Sequence, residues 1–355
     1  MSTGLGANLA DLSDELKLEL ERLITRESEI NDQMQKAKED MKARVESSLQ
    51  QCSHKIYRCD FHAHSTYSDG KSNVDEIHEW MVYSGIDFMV ITDHGTLSQR
   101  VDCMKYPDMW YGEESTNGHH IVALDIPREL DPADDLQGAV NKVRELGGFP
   151  IVAHPCGWYK HPYPPGLADE LDGLDGKYAI EIGNGAENIF DYFDETDQKA
   201  VMLWDRLLSQ GKEVVGLGNT DEHHCYQIGI LWNGVICSAP AKEEIMEAMR
   251  EGHLFVSNGP VIILKTEQGI MGDTIYVEQE KSLTFEVECH DAHGIYQIKV
   301  IKDAGVFKKF TFQGEESITL QFEDLFSKNY GYYRAECYTL DGRRAYSNPI
   351  RVMKE

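Results

Sequence analysis

Several features that mark common protein classes are scarce in this 355-residue sequence. Lysine and arginine total 34 against 61 aspartates and glutamates, which gives a formal net charge of -27, and no basic run stands out. Nucleic acid and anionic membranes both attract proteins through a positive surface, so we expect neither as a partner. No segment approaches the ~18 apolar residues of a membrane span, and the N-terminal segment does not resemble a signal peptide. We therefore expect a soluble, cytoplasmic protein.

Cysteine pairs are also lacking. The 8 cysteines include no CxxC pair and form no dense framework. This pattern is typical of reduced thiols in a reducing compartment. Cys59 and Cys156 adjoin candidate site residues, and we expect both to act as small buried apolar side chains.

The sequence divides by pattern into three parts, residues 1-54, 55-254 and 255-355. The first is an N-terminal helical segment, because apolar residues recur there at intervals of seven, at Leu9, Leu16, Leu23, Ile30 and Ala37. We predict a helix from about Leu9 to Leu49. Such a helix either docks on its own domain or pairs two chains as a homodimer, and both alternatives stay open.

In residues 55-254 short apolar runs such as "FMVITDH", "FPIVAHP" and "YAIEIGN" alternate with helical stretches. This alternation predicts parallel strands joined by helices, as in an α/β barrel. From residue 255 onward, short alternating segments separated by Gly, Asp and Asn predict an antiparallel β-sandwich. We expect His290 and His293 to lie in a turn of that sandwich.

Imidazoles and carboxylates recur at the predicted strand ends of the barrel. They are His62, His64, Asp69, His94, His154, Asp221 and His223. One histidine alone is more often structural than functional. Because functional residues of α/β barrels follow the carboxyl ends of strands, the whole set predicts a metal site at one mouth. We expect structural roles for the other histidines considered, His54, His78, His253, His290 and His293.

These residues resemble the motifs of the PHP (polymerase and histidinol phosphatase) family of metal-dependent hydrolases. The four motifs are His62-x-His64 followed by "SDG" with Asp69, "ITDH" with His94, "AHP" with His154, and "TDEH" with Asp221 and His223. The resemblance covers about Ile56 to Ala239. It implies a distorted (β/α)7 PHP barrel with up to nine ligands around two or three metals.

The resemblance implies two further ligands, a bridging glutamate and a histidine, within "WYGEESTNGHHIVALDI". We assign them to Glu114 and His120. The alternatives are Glu113, Asp125 and Glu129 for the glutamate and His119 for the histidine.

The family layout, carried over residue by residue, gives three groups of ligands. The first is His62, His64, Glu114 and Asp221; the second is Glu114, His120 and His154; the third is Asp69, His94 and His223. Mixed imidazole and carboxylate ligands favour Zn, Mn or Fe over Ca²⁺ or Mg²⁺. We therefore expect two or three divalent transition metals.

Segments such as "AIEIGNG" and "EEIMEAMREGHLFVSNGP", together with the trailing sandwich, are similar to a branch of this family that includes carbaryl-hydrolase-like enzymes. Candidate substrate-binding residues are Arg128, Trp158, Lys160, His161, Glu181 and Asn184. Glu181 and Asn184 are alternatively contacts to the ligands or packing groups, and Trp158 is alternatively part of a packed rim. We expect Lys71 and Arg100 to be solvated charges.

The expected function is a metal-dependent hydrolase with a small-molecule substrate. In the first interpretation it is a phosphoesterase acting on a small phosphate monoester or diester, since metals lower the pKa of bound water enough for attack at neutral pH. Asp221 and His223 are the expected catalytic residues. The alternatives are an ester, amide or carbamate hydrolase of the carbaryl-hydrolase type, and a catalytically silent metal-binding scaffold.

Overall fold

The computed structural model describes residues 14–116, 119–164, 166–187, 193–278 and 280–355. The chain forms two compact units, Met1–Met41 and Lys42–Glu355. The predicted N-terminal helix is confirmed as α1 (Asp14–Gln51), while Leu9 lies outside the described residues. Homodimer formation through this helix stays a prediction. Across the described ranges, no helix is both long and apolar enough to span a membrane.

The barrel is built from short strands and intervening helices. The strands of this region are β1 (Ile56–Asp60), β2 (Phe88–Ile91), β3 (Met109–Ser115), β4 (Ile121–Leu124), β5 (Phe149–Val152), β6 (Gly157–Trp158), β7 (His161–Pro162), β8 (Tyr178–Asn184), β9 (Val214–Asn219), β10 (Trp232–Ile236) and β11 (Leu254–Ser257), of which β6 and β7 form a separate two-stranded sheet. Its helices are α2 (Val74–Ser84), α3 (Arg100–Cys103), α4 (Leu136–Glu145), α5 (Glu195–Ser209) and α6 (Lys242–Glu251), with 3-10 turns at Leu167–Gly173 and Cys225–Gln227.

The strand order around the barrel is β10-β1-β2-β3-β4-β5-β8-β9, which confirms the predicted α/β fold class. The pairs β1–β2, β2–β3, β5–β8 and β8–β9 are parallel, and β4 is antiparallel to both of its neighbours. Only residues 116–120 join β3 to β4. A parallel connection needs a crossover of a dozen or more residues, so this short link forces a hairpin. The start of β4 therefore lies at the same barrel edge as the end of β3.

The edge of β9 is closed against the rest of the barrel by two side-chain amides. Asn348 accepts from Gly216 N and donates to Gly216 O, both at 2.9 Å. Asn233 pairs in the same way with Gly218, at 2.9 and 2.7 Å. A Cβ at position 218 would lie 2.2 Å from Val256 Cγ1, so glycine is required for this close approach. These amides take the place of a neighbouring strand.

Replacement of Asn348 by alanine is expected to lower the free energy of unfolding by about 3 kcal/mol, because it leaves the buried backbone N–H and C=O of Gly216 without partners. Urea unfolding followed by circular dichroism measures the change. Asn329→Ala, at an exposed position, is the control and should change the stability by less than about 0.5 kcal/mol. Equal stabilities of the two variants would contradict this account of barrel closure.

The loop after β1 is fixed at both ends. Every residue of β1 is buried, and α2 begins at Asn73 with a capping box in which Asn73 and Glu76 satisfy each other's backbone N–H groups. The helix ends at Gly85, whose φ of 72° is left-handed. The first motif, residues 62–70, therefore sits between two rigid elements.

The C-terminal strands are β12 (Val261–Thr266), β13 (Thr274–Val277), β14 (Lys281–Lys302), β15 (Gly305–Phe326), β16 (Tyr330–Thr339), β17 (Arg344–Ser347) and β18 (Ile350–Lys354). Apart from the parallel pair β13–β18, their pairings are antiparallel, which agrees with the predicted sandwich. The expected turn at His290 and His293 was wrong, since both lie within β14, where its register shifts between His290 and Ile295.

β11 pairs with both β10 and β17, so the ladder runs unbroken across residue 254. The division into 55-254 and 255-355 stays a prediction.

Candidate metal centre

Four donor atoms of the first predicted ligand group converge at the carboxyl end of the barrel. His62 Nε2 and His64 Nε2 are 3.1 Å apart, and each lies 3.2 Å from Glu114 Oε2. Asp221 Oδ1 lies 3.4 Å from the first imidazole and 3.1 Å from the second. Ligand atoms around a tetrahedral zinc ion are separated by roughly 3.3 Å. The donor set and its spacing therefore fit a divalent transition metal.

Backbone pairing beyond the strand ends produces this convergence. Asp221 N donates to His62 O at 3.0 Å, and His64 N donates to Glu222 O at 2.9 Å, which extends β1 and β9 into a parallel bridge. A second bridge joins His94, which lies beyond the end of β2, to Glu114 near the end of β3. Each bridge places ligand candidates from distant sequence positions side by side.

Two of the candidates have strained backbones. His154 has a φ of 28° and Asp221 a φ of 47°, in the left-handed region that non-glycine residues seldom occupy. Such strain is concentrated at functional sites, where the surrounding structure holds it in place. Here it turns two side chains into the barrel mouth directly after their strands.

Glu114 connects the first group to the second. Its Oε2 atom faces His62 and His64, while its Oε1 atom lies 2.9 Å from His120 Nδ1 and 3.4 Å from His154 Nε2. One carboxylate thus offers an oxygen to each of two neighbouring positions. This is the arrangement of a carboxylate that bridges two metals.

The third group gathers around Asp69. Its carboxylate lies 3.4 Å from His223 Nε2, 3.6 Å from His94 Nε2 and 3.9 Å from His64 Nδ1. Asp69 is 54% exposed, whereas Glu114 is buried, so this group is the most accessible of the three. All nine predicted ligand side chains therefore lie at one end of the barrel.

Opposite charges hold the buried groups in their ionic forms. Burial alone would lower the pKa of His62, but the carboxylates of Asp221 and Glu114 raise it well above its usual value. Burial likewise opposes charge on His64, yet Asp221 and Glu114 raise its pKa to about 10. In return, the histidines outweigh burial and keep the pKa of Glu114 and of Asp221 well below the usual range. Metal binding to these imidazoles must displace protons.

Glu181 orients the first imidazole from behind. Its Oε1 atom lies 2.8 Å from His62 Nδ1 and accepts from Asn219 Nδ2 at 2.9 Å. Its Oε2 atom accepts from His154 N and from Asn184 Nδ2, both at 2.8 Å. With Nδ1 held in this way, the Nε2 lone pair of His62 points into the centre. Asn184 also donates to Asp221 Oδ2 at 3.1 Å, so both residues position ligands.

The alternatives to Glu114 lie elsewhere. Glu113 points to the opposite face of β3 and accepts from Leu130 N at 2.9 Å, as strand alternation requires. Asp125 pairs with Lys242 and Arg250, and Glu129 accepts from Thr96 and Leu97 N.

The alternative to His120 also lies away from the centre. His119 Nε2 lies 3.3 Å from Glu170, and burial lowers the pKa of His119. The structure therefore brings Glu114 and His120 to the centre.

A cavity of about 600 Å³ opens above the three groups. Besides ligand candidates, it is lined by Lys71, Trp158, Ala186, Glu187, His224, Tyr226 and Gln227. Trp158 packs beside His154, with ring centroids 5.1 Å apart. The side chain of this tryptophan therefore forms part of the cavity wall next to the second ligand group.

Three of the predicted substrate-binding residues are not among those that line the cavity. The Arg128 guanidinium donates to Glu129 O and to Asp131 Oδ2, both at 3.0 Å. Lys160 lies over the Tyr159 ring, and His161 pairs with Glu187. Contact of these three residues with substrate stays a prediction. Glu181 lies beneath the ligand candidates, and its carboxylate accepts hydrogen bonds from four donors.

Sequence reasoning missed three contributors. Tyr163 OH lies 3.3 Å from His154 Nδ1 and so can orient that ring as Glu181 orients His62. Lys71 and Tyr226 line the cavity, although Lys71 was expected to be a solvated charge. Lys71 follows directly on "SDG", and that proximity to a motif was the available signal.

The histidines expected to be structural lie outside the centre. His78 Nε2 lies 3.1 Å from Asp108, and His253 Nε2 lies 2.8 Å from Asp273. His54 Nδ1 lies 2.9 Å from Ser53 Oγ. His290 and His293 belong to β14, far along the chain from the motifs.

No protein-family model and no curated protein matches the sequence. Among solved structures, the chain is similar to a two-domain protein from Bacteroides vulgatus ATCC 8482 that contains a predicted PHP-like metal-dependent phosphoesterase. The two are 16% identical with a TM-score of 0.47, over 84% of this chain and 95% of that chain. It is also similar to an amidohydrolase from Chromobacterium violaceum, with 15% identity and a TM-score of 0.35, over 47% of this chain and 87% of that chain. Likenesses this distant carry no conclusion about activity.

Proposed function

We propose that this protein is a metal-dependent hydrolase of the PHP type and that its substrate is a small phosphate monoester or diester. The observation that carries the proposal is the buried Glu114, which presents one carboxylate oxygen to each of two groups of imidazoles at the base of a cavity. Divalent transition metals such as Zn, Mn or Fe would supply Lewis acidity there and a water molecule activated at neutral pH. The identity and the number of the metals are part of this proposal.

The chain's own residues have distinct roles in this proposal. Glu114 sets the spacing of the first two groups, and Glu181 fixes the tautomer of His62. Asp221 and His223 both line the cavity, and we assign to them the transfer of a proton to the leaving group. Asn184 holds one oxygen of Asp221, which leaves the other facing the imidazoles.

One cationic side chain in the cavity lining is suited to an anionic substrate. Lys71 is the one lysine or arginine among the described residues that line it, and its Nζ atom lies 3.1 Å from Asp69 O. It therefore stands beside the most exposed ligand group. In a chain with a net charge of -27, a cation at this position is suited to a phosphate oxygen.

An ester or carbamate hydrolase of the carbaryl-hydrolase type is the second candidate. It is favoured by the aromatic side chains of Trp158 and Tyr226 in the cavity lining, which could hold an aryl leaving group.

One panel separates these candidates. The purified protein, reconstituted in turn with Zn²⁺, Mn²⁺ and Fe²⁺, is assayed against 4-nitrophenyl phosphate, bis(4-nitrophenyl) phosphate, 4-nitrophenyl acetate and 1-naphthyl N-methylcarbamate. The first three substrates release the same 4-nitrophenol, so among them the group attacked decides the result. Hydrolysis confined to the acetate and carbamate would replace the first candidate with the second. Binding of less than one ion per chain, without hydrolysis, would indicate the silent scaffold.

The substitution Lys71→Met is expected to raise the KM for a phosphoester by about 10-fold, because a hydrogen bond to a charged group is lost. The KM for the neutral acetate should stay unchanged. Arg128→Met removes a cation outside the cavity and is the matched control. An equal effect of Lys71→Met on both substrates would show that this lysine does not recognise the anion.

A further inference from the structure

A second group of metal-capable side chains lies outside the barrel mouth, where the end of α1 meets β14. It comprises Cys52, Glu288 and His290, and one potential ligand atom of each lies within 4.8 Å of the other two. Glu288 and His290 are buried, and Cys52 is half-buried beside them. None of these residues takes part in the proposed hydrolytic site.

The strand and the helix end position the three groups. Glu288 and His290 are two residues apart on β14, so their side chains point to the same face. Cys52 follows the last residue of α1, and its backbone N–H bonds to Leu49 O at 3.2 Å. The cysteine is thereby held over the pair on the strand.

Hydrogen bonds fix the positions of the glutamate and the histidine. Ser53 N and Ser53 Oγ donate to the two oxygens of Glu288, at 2.8 and 2.5 Å. His290 Nδ1 lies 2.7 Å from Ser317 Oγ, and its Nε2 atom lies 2.7 Å from Glu288 Oε1. Outer contacts of this kind fix the orientation of metal ligands in proteins. The nearby Lys265 is paired with Glu286, with Nζ and Oε1 2.9 Å apart.

We propose that Cys52, Glu288 and His290 form a second metal site, which binds one divalent transition cation such as Zn²⁺ and joins the end of α1 to β14. A thiolate, an imidazole and a carboxylate are the donor set that borderline-soft cations prefer, and three protein ligands leave a fourth position for water. On binding, the thiol proton of Cys52 passes to solvent as the sulfur–metal bond forms.

Cobalt titration tests the proposal, because the ligands of the barrel centre are all nitrogen and oxygen. A thiolate-to-Co²⁺ charge-transfer band in the near ultraviolet therefore reports the second site alone. We expect this band to reach a plateau as Co²⁺ is added and to be lost in Cys52→Ser and in His290→Gln. Cys156→Ser, which removes a thiol two residues from His154, should retain it.

Thermal melting with and without Zn²⁺ completes the test. Zn²⁺ should raise the melting temperature of the Glu114→Gln protein, whose barrel centre is impaired, and this rise should disappear when Cys52→Ser is added. Absence of the charge-transfer band from wild-type protein, or its persistence in both Cys52→Ser and His290→Gln, would overturn the proposal. Thermal melting in the presence of a chelator shows whether either variant is misfolded. If Cys52→Ser is misfolded, the cobalt band of His290→Gln decides the test.

Discussion

Replacement of Glu114 by glutamine is expected to reduce hydrolysis by more than about 100-fold, since loss of a ligand should exceed the effect of losing an outer contact. Glutamine has nearly the same shape, but its amide nitrogen cannot ligate a metal, so one of the two groups loses its shared donor. Metal content per chain, measured by mass spectrometry after desalting, should fall together with the rate. The buried side chain faces five imidazoles, those of His62, His64, His94, His120 and His154.

Glu113→Gln is the matched control, because it changes the adjacent residue on the opposite face of β3. It should leave the metal content and the rate near those of the wild type. If Glu113→Gln and Glu114→Gln lost metal equally, the bridging assignment would be wrong. If Glu114→Gln lost metal but the wild type hydrolysed nothing, the centre would stand and the proposed activity would fail.

The second large effect is expected at a residue that contacts no metal. Glu181→Gln should weaken metal binding by about 10–100-fold, because the carboxylate that fixes the orientation of His62 is replaced by an amide. Glu181 accepts from four donors, and an amide nitrogen can accept none of them. Competition with a chelator of known affinity measures the change.

Loss of stability alone could also release metal, so a second buried glutamate serves as the control. Glu336 accepts from Arg334 at 2.8 Å within the C-terminal sheet, distant in sequence from all four motifs. Glu336→Gln should lower the melting temperature without changing the metal affinity. A wild-type affinity in Glu181→Gln would mean that His62 needs no orienting partner.

Much of the barrel could be predicted from local patterns. Strands that are buried on both faces, such as β2 with "FMVI", are apolar throughout, and helices such as α2 carry their own caps. The ligand candidates after these strands were predictable as well, because parallel strands end at one edge. The antiparallel β4 was not predicted, although its cause, a link of five residues, is visible in the sequence.

The turn expected at His290 shows where local reasoning fails. β14 is 22 residues long and passes through a register shift, and the polar residues Glu288, His290 and Asp291 within it are buried. His290 is satisfied by Glu288 and by Ser317 from β15. Polar composition alone therefore favoured a turn, whereas pairing with other strands produced a continuous strand.

The sequence by itself determined the α/β class, the four motifs and the residue types that suit a divalent metal, because each depends on periodicity or on spacing within a few residues. Only the tertiary structure decided which carboxylate faces both groups of imidazoles, which residues contact the ligand candidates from behind and which cation lines the cavity. Those outcomes depend on contacts between distant positions, such as Glu181 with His62, 119 residues apart, and Asn348 with Gly216, 132 residues apart. No local pattern encodes such pairs, since the folded barrel alone brings them within hydrogen-bonding distance.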